Sequence, residues 1–157
     1  MKDLKAKDIM NTDVLSVRDD MTVQEVAGFL TEREIVGAPV VDSEGEVVGV
    51  VSCTDIAQST TTEANRLLER STPGFYEHGW EYKLGPDELE RLHLEENESL
   101  PVKEIMTPTI YTVPEDTPIS DIAKAMVAGR IHRLLVTRGT RLVGIITTLD
   151  MLKIFFD

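Results

Sequence analysis

The segment Gly49-Val-Val-Ser-Cys-Thr-Asp55 returns later in the same chain as Gly144-Ile-Ile-Thr-Thr-Leu-Asp150, 95 residues further on. Upstream of it, Ala6-Lys-Asp-Ile-Met10 returns as Val102-Lys-Glu-Ile-Met106, 96 residues further on. Apolar residues between these segments repeat at the spacing of one helix face. They are Val23, Val26, Ala27 and Leu30 in the first copy and Ile119, Ile122, Ala123 and Met126 in the second. The chain is therefore an internal duplication.

Each copy is predicted to fold in the order strand, helix, strand, turn, strand, helix. Residues 38–41 and 134–137 are apolar runs expected to form strands, and residues 47–51 and 142–146 are β-branched runs of the same kind. A copy of about 50 residues buries too little surface to be stable alone. The two copies are therefore expected to pack together around a shared core.

The first helices of the two copies are predicted to begin differently. Thr22-Val-Gln-Glu25 has the pattern of a capping box. Thr117-Pro118 has the pattern of a capping residue followed by proline at the first helical position.

Composition restricts the classes of function. The net charge of −12, from 28 acidic and 16 basic residues, disfavours nucleic acid as a main partner. No apolar run approaches the roughly 18 residues that span a bilayer, and no signal peptide is recognisable, so no membrane association is expected. With Cys53 as the single cysteine, an intrachain disulfide is impossible. The expected location is the cytoplasm.

Three segments are predicted: a first repeat at 1–58, an inserted connection at 59–101 and a second repeat at 102–157. The connection has no counterpart in the duplication, and its aromatic stretch 75–82 contains Trp80. A connection of this length is expected to be packed rather than a bare linker. The aromatic stretch is interpreted as a lid or a surface read by a partner, or alternatively as a cover for a sheet edge or dimer contact.

Several motifs together resemble a CBS-domain pair, a family named after cystathionine β-synthase. They are the segments Asp8-Ile-Met-Asn11, Glu104-Ile-Met-Thr-Pro108, Val36-Gly-Ala-Pro-Val-Val41 and Ile131-His-Arg-Leu-Leu-Val136, with the two Gly-to-Asp segments quoted first. The resemblance implies an α/β (α+β) fold of two tandem β-α-β-β-α repeats, packed sheet to sheet with pseudo-two-fold symmetry. It also implies a homodimer that binds AMP, ADP, ATP or S-adenosylmethionine and regulates an effector. Because no effector domain is recognisable in this sequence, the output is expected to act through a separate effector protein or through a change in repeat packing or assembly state.

The resemblance also implies roles for individual residues. Asp55 and Asp150 become candidates to hold ribose hydroxyls, with Ser52, Thr54 and Thr147 near phosphates. Leu149 departs from the hydroxyl found at Thr54, which removes one phosphate donor from the second copy. The residues expected to line adenine are Val14, Leu15, Gly37, Ala38, Pro39, Ile110, Tyr111, Ile131 and Leu134.

The chemistry of these side chains suits the roles above, and each motif also has a structural interpretation that needs no ligand. A carboxylate can accept two hydrogen bonds from a ribose diol, and a helix N-terminus favours phosphate. The Ser52-to-Asp55 and Thr147-to-Asp150 segments are equally capping boxes that need no ligand, although one carboxylate can do both. His132 and Arg133 replace Val36 and Gly37 of the first copy and suit a phosphate. The alternative is that Arg133 pairs with a surface carboxylate.

A nucleotide-sensing regulatory module is the leading hypothesis. The alternatives are a sensor of S-adenosylmethionine or NAD, a ligand-free dimeric interaction scaffold, and an enzyme that consumes a bound nucleotide. No phosphate-binding loop, nucleophile elbow or Cys/His pair occurs in the sequence, so no catalytic residue is assigned. No metal site is predicted, because His78 and His93 lack ligand spacing.

Overall fold

The computed structural model describes residues 3–60 and 100–156, which contain both copies of the repeat. The first copy contains α1 (Ala6–Ile9), β1 (Val17–Arg18), α2 (Val23–Arg33), β2 (Gly37–Val41), β3 (Val47–Ser52) and α3 (Cys53–Thr60). The second contains a short 3-10 helix (Val102–Glu104), β4 (Thr112–Pro114), α4 (Ile119–Gly129), β5 (Arg133–Arg138), β6 (Arg141–Thr147) and α5 (Thr148–Lys153). The predicted α+β fold of two tandem repeats is confirmed.

Each repeat forms its own three-stranded sheet, in the orders β1-β2-β3 and β4-β5-β6. The first two strands of each sheet are parallel and the last two antiparallel. Gly37 pairs with Ser52 in the first sheet, and Arg133 pairs with Thr147 in the second. The last strand of each sheet therefore ends beside the start of the middle strand, and the helix that follows begins there.

The helix between the first two strands covers each sheet with the apolar face that the sequence predicts. In α2, Val23, Val26, Ala27 and Leu30 are buried, and in α4, Ile119, Ile122 and Met126 are buried. The capping box of α2 is confirmed, because Glu25 N donates to Thr22 Oγ1 and Thr22 N donates to Glu25 Oε1, both at 3.1 Å.

The prediction for the start of α4 is wrong in its detail. Pro118 itself occupies the capping position rather than the first helical position, and no side chain caps the helix. The carbonyl of Thr117 accepts instead from the backbone N–H of Ala6, at 2.8 Å. The start of α4 is thus fixed by a backbone contact with a distant segment.

We expect Thr22→Ala to lower the free energy of unfolding by about 1 kcal/mol, because it leaves an N–H at the start of α2 without its acceptor. Thr117→Ala is the matched control, since the Thr117 side chain makes no capping bond in the described structure. Urea denaturation of both variants measures the difference. Equal losses would contradict the assigned caps.

The segment that precedes each repeat packs on the other repeat. We call residues 5–11 the first arm and residues 100–107 the second arm. The first arm bonds to the second repeat, where Asn11 and Ile145 exchange backbone hydrogen bonds of 2.9 and 3.0 Å. The second arm bonds to the first repeat, where Thr107 and Val50 exchange bonds of 2.8 and 2.9 Å. The two sets of contacts are equivalent, as pseudo-two-fold symmetry requires.

The same exchange joins the two hydrophobic cores. Val102 of the second arm is buried in the core of the first repeat, with Ile105 and Met106 packed against it. Ala6 of the first arm is buried in the core of the second repeat, together with Val50 from β3. The described residues therefore form two core clusters rather than the single shared core expected from the sequence, and each cluster is completed by residues of the other repeat.

Two glycines permit the close approach of the arms. A Cβ atom at Gly49 would lie 2.7 Å from the carbonyl oxygen of Thr107 and 2.8 Å from the sulfur of Met106. A Cβ atom at Gly144 would lie 2.5 Å from the sulfur of Met10. All three distances are shorter than real Cβ contacts, which accounts for glycine at this position in both copies.

The predicted insertion lies almost wholly outside the described residues, so its aromatic stretch 75–82 stays a prediction. Among the helices that the structure describes, none is long and apolar enough to cross a bilayer.

Candidate functional site

The Ser52-to-Asp55 segment connects β3 to α3 and forms the expected capping box. Asp55 Oδ2 accepts from Ser52 N at 2.8 Å and from Ser52 Oγ at 3.1 Å, and Asp55 N donates to Ser52 Oγ at 3.2 Å. Both bonds to the carboxylate end on Oδ2, so Oδ1 takes no part in the capping box.

The other carboxylate oxygen of Asp55, Oδ1, contacts the second repeat. Thr107 Oγ1 lies 3.4 Å from Asp55 Oδ1, where the second arm pairs with Val50. The arm then continues as residues 108–111 into β4. The carboxylate of the first repeat is therefore adjacent to the segment that leads to the apolar residues of the second repeat. No single sequence motif contains this contact between the two copies.

Residues 110–113, which follow the second arm and enter β4, border a cavity of about 300 Å³. Its lining residues are Ile110, Tyr111, Thr112, Val113, Ala125, Gly129, Ile131 and Leu134. Four of these were expected to line adenine, and the structure brings them together. The volume is at the lower end of the range typical of small-molecule pockets.

Ala125 and Gly129 of α4 also line the cavity, although neither was among the site residues predicted from the sequence. They lie four residues apart, one turn of the helix, and their small size leaves the space open. The two copies differ at these positions, because α2 has Phe29 and Arg33 where α4 has the two small residues. This difference is the sequence feature that distinguishes them.

The Thr147-to-Asp150 segment at the start of α5 repeats the capping geometry. Asp150 Oδ2 accepts from Thr147 N at 2.9 Å and from Thr147 Oγ1 at 3.0 Å. Its Oδ1 accepts from the exposed Lys153 ammonium at 3.3 Å. On the first arm, Asn11 Oδ1 accepts from the backbone N–H of Asp13 at 2.9 Å. Leu149, where the first copy has Thr54, is 68% exposed.

We call the first combination site A: residues 52–55 with residues 107–113 and the cavity. The equivalent combination, residues 147–150 with residues 11–17 and 35–38, is site B. Of the candidates in site B, Val14 is half-buried and Leu15 is exposed. Gly37, Ala38 and Pro39 are buried in β2, where Ala38 belongs to the core of the first repeat.

His132 and Arg133 lie at the start of β5, between the cavity residues Ile131 and Leu134 in the sequence. The carbonyl of His132 accepts from Thr148 N at 2.9 Å, which places the pair beside the start of α5 as well. Both side chains are half-buried. Burial lowers the pKa of the Arg133 guanidinium from its ordinary value, although such a group stays charged at neutral pH.

The hydroxyl of Thr54 in site A is buried, with the residue only 5% exposed. It has no hydrogen-bond partner among the residues that the structure describes. Buried polar groups are nearly always hydrogen-bonded, and leaving one unpaired costs about 1–3 kcal/mol. Thr54 is therefore a donor and acceptor available to a ligand at the start of α3.

The carboxylates of Asp42, Glu44 and Glu46 lie within 4.8 Å of one another in the turn between β2 and β3. Asp42 Oδ1 accepts from the backbone N–H groups of Glu44 and Glu46 at 2.9 and 3.0 Å. These bonds give the acidic turn a structural role.

Comparison with known families identifies the repeat. The sequence model described as CBS domain matches residues 6–60 and again residues 102–157. The chain therefore belongs to the CBS domain family. Its two matches, with the two sheets and exchanged arms above, make it a CBS-domain pair.

One curated relative, the uncharacterized protein MJ1426 of Methanocaldococcus jannaschii, is 30% identical over 150 residues, which cover 94% of this chain and 88% of the relative. Other relatives from the same organism are longer. The chain spans 33% of the length of MJ1404 and 39% of MJ1232.

Solved structures of similar chains are CBS domains as well. The CBS domain of a CBS domain-containing membrane protein from Sphaerobacter thermophilus is 30% identical, with a TM-score of 0.68 over 97% of this chain and 88% of that one. The CBS pair of MJ0100, in complex with 5′-methylthioadenosine and S-adenosyl-L-methionine, is 23% identical, with a TM-score of 0.62 over 98% and 96%. CBSX2 in complex with AMP is 21% identical, with a TM-score of 0.66 over 97% and 96%.

Proposed function

We propose that this CBS pair is a regulatory module that binds an adenosine nucleotide, AMP, ADP or ATP, between its two repeats. The observation that carries the proposal is the apolar cavity of about 300 Å³, lined by residues expected to hold adenine. The ligands of MJ0100 and CBSX2 support the chemical class, because all three contain adenosine.

Groups suited to each part of a nucleotide lie in the cavity wall or on segments connected to it. The cavity offers apolar walls to the base, and Asp55 offers a carboxylate to the ribose hydroxyls. A diol in this place would replace the 3.4 Å contact between Asp55 and Thr107. Arg133 and His132 offer positive charge or donors to phosphate, and Thr54 offers a buried hydroxyl.

Binding would be communicated through the arms. The cavity wall at Ile110 and Tyr111 continues directly from the second arm, which is paired with β3 of the first repeat. A ligand that fits one relative position of the repeats better than another shifts the population toward that position. We propose that an effector protein in the cytoplasm reads this change; no catalytic step belongs to the proposal.

We expect Arg133→Ala to weaken AMP binding about 10-fold or more, because charge-assisted hydrogen bonds contribute about 1.5–3 kcal/mol. Adenosine has no phosphate, so its affinity should stay within about two-fold. Arg18→Ala is the matched control, since Arg18 is exposed and pairs with Asp20 on the surface. Isothermal titration calorimetry measures all three proteins. Equal losses for AMP and adenosine would remove Arg133 from phosphate recognition.

A second candidate function is an interaction scaffold that also forms homodimers. The observation that favours it is a set of exposed apolar side chains in and just after α5, among them Leu152, Phe155 and Phe156, the last 85% exposed. Titration with AMP, ADP, ATP, NAD and S-adenosylmethionine separates the candidates. No heat and no thermal stabilisation with any of them would favour the scaffold.

A further inference from the structure

Resting on the proposed adenosine-binding function, we infer that the chain holds one ligand, in site A, and that its own side chains close site B. The two sites are built from equivalent segments, so the difference lies in the residues that occupy them. Four differences between equivalent positions favour site A.

The first difference concerns space. Ala125 and Gly129 line the cavity of the second repeat, and a Cβ atom added at Gly129 would lie 3.8 Å from Ile131, against the cavity wall. The equivalent positions in α2 hold Phe29 and Arg33. Phe29 packs on the core of the first repeat, and the Arg33 guanidinium lies 5.6 Å from the centre of its ring. This is the geometry of a cation–π pair, which holds both side chains at that position.

The second and third differences concern polar groups. Thr54 of site A has a buried hydroxyl without a partner among the described residues, whereas its counterpart Leu149 is exposed and apolar. Thr107 of site A contacts the carboxylate of Asp55, whereas its counterpart Asn11 has its side-chain oxygen bonded to the backbone of Asp13. Site A therefore has one buried hydroxyl without a partner among the described residues and one polar contact between the two repeats, whereas the equivalent positions of site B are apolar or hydrogen-bonded within the first arm.

The fourth difference concerns charge. His132 and Arg133 lie between two residues that line the cavity, and Val36 and Gly37 stand at the equivalent place in the first repeat. An anionic ligand is therefore favoured beside this cavity, in site A, although the backbone of the same pair also contacts Thr147 and Thr148 of site B. The two copies supply two equivalent sites, and the residues of α4 and of positions 132 and 133 make site A the one suited to a nucleotide.

Calorimetry with AMP as the probe tests this inference. We expect one site per chain in the unmodified protein. The double variant Ala125→Phe/Gly129→Arg copies the α2 pair into the cavity, and we expect its affinity to fall at least about 10-fold, because the two larger side chains fill the space that the base would occupy. Val127→Phe is the control, because Val127 is on the same helix and 79% exposed; its affinity should stay within about two-fold.

Hydrogen exchange with and without AMP locates the ligand independently of any variant. We expect protection of amides in residues 52–56 and 107–113. Protection confined to residues 11–17 and 147–151, two equivalent sites per chain, or unchanged affinity in the folded double variant would each overturn the inference. No AMP binding by the unmodified protein would instead contradict the proposed function, so the two failures are distinguishable.

Discussion

We expect Gly49→Ala to lower the free energy of unfolding by about 1–3 kcal/mol, the usual cost of overpacking a closed contact. The added methyl group would meet the carbonyl oxygen of Thr107 at 2.7 Å. That carbonyl accepts a hydrogen bond from Val50, so it can move away only by weakening the pairing between the second arm and β3. At this chain length the melting temperature should fall by about 2–4 °C per kcal/mol.

Gly28→Ala is the matched control for this substitution. Gly28 lies in α2, and an added Cβ atom would meet nothing within 4 Å. Alanine is the better helix former, so this variant should gain about 0.5–1 kcal/mol. Thermal and urea denaturation measure both variants. If Gly49→Ala were as stable as the unmodified protein, the close approach of the arm to β3 would be contradicted.

The second large effect is expected for Val102→Asp, at about 3–5 kcal/mol, because an unpaired charge would be placed in a closed core. Val102 belongs by sequence to the second repeat, but its side chain is fully buried in the core of the first. Its backbone N–H donates to Met21 of the first repeat at 2.7 Å.

Lys103→Asp introduces the same carboxylate at the next residue, which is exposed, and should change stability by less than about 1 kcal/mol. Urea denaturation measures both, and hydrogen exchange shows where protection is lost. We expect β2 and β3 to lose protection in Val102→Asp before β5 and β6 do. Loss confined to the second repeat would contradict the exchange of arms.

Most of the fold was predictable because its signals are local. The strands at 38–41 and 47–51 were expected from β-branched runs, and β2 and β3 lie within one residue of them. The helix face of Val23, Val26, Ala27 and Leu30 follows from spacing alone, and all four residues are buried. These patterns need only the residues of one element and the chemistry of burial.

The exchange of arms was not predictable from the same patterns. The arms Ala6-Lys-Asp-Ile-Met10 and Val102-Lys-Glu-Ile-Met106 have nearly the same residue types, so each would fit either repeat. Local chemistry therefore does not decide which repeat an arm covers. The start of α4 was mispredicted for a related reason: its Thr117 bonds to an arm more than a hundred residues away in the sequence.

The candidate site was predicted in its parts and missed in its assembly. Ile110, Tyr111, Ile131 and Leu134 line the cavity as expected, and Asp55 has the predicted capping bonds. Ala125 and Gly129 lie on the outer part of an amphipathic helix, where small residues have no distinguishing pattern. The contact between Thr107 and Asp55 joins the two repeats, so no single-repeat motif contains it.

The reciprocal arms also describe how such a chain can arise. A single repeat that carried its own arm would leave that arm unsatisfied and its sheet uncovered, and two such polypeptides would complete each other by trading arms, as in domain swapping. Gene duplication followed by fusion converts that association into an intramolecular one, at an effective concentration set by the connecting segment. The two repeats then have separate sequences within one chain, so residues at equivalent positions can differ. The differences between Phe29 and Arg33 in one copy and Ala125 and Gly129 in the other are ones that two identical subunits could not have.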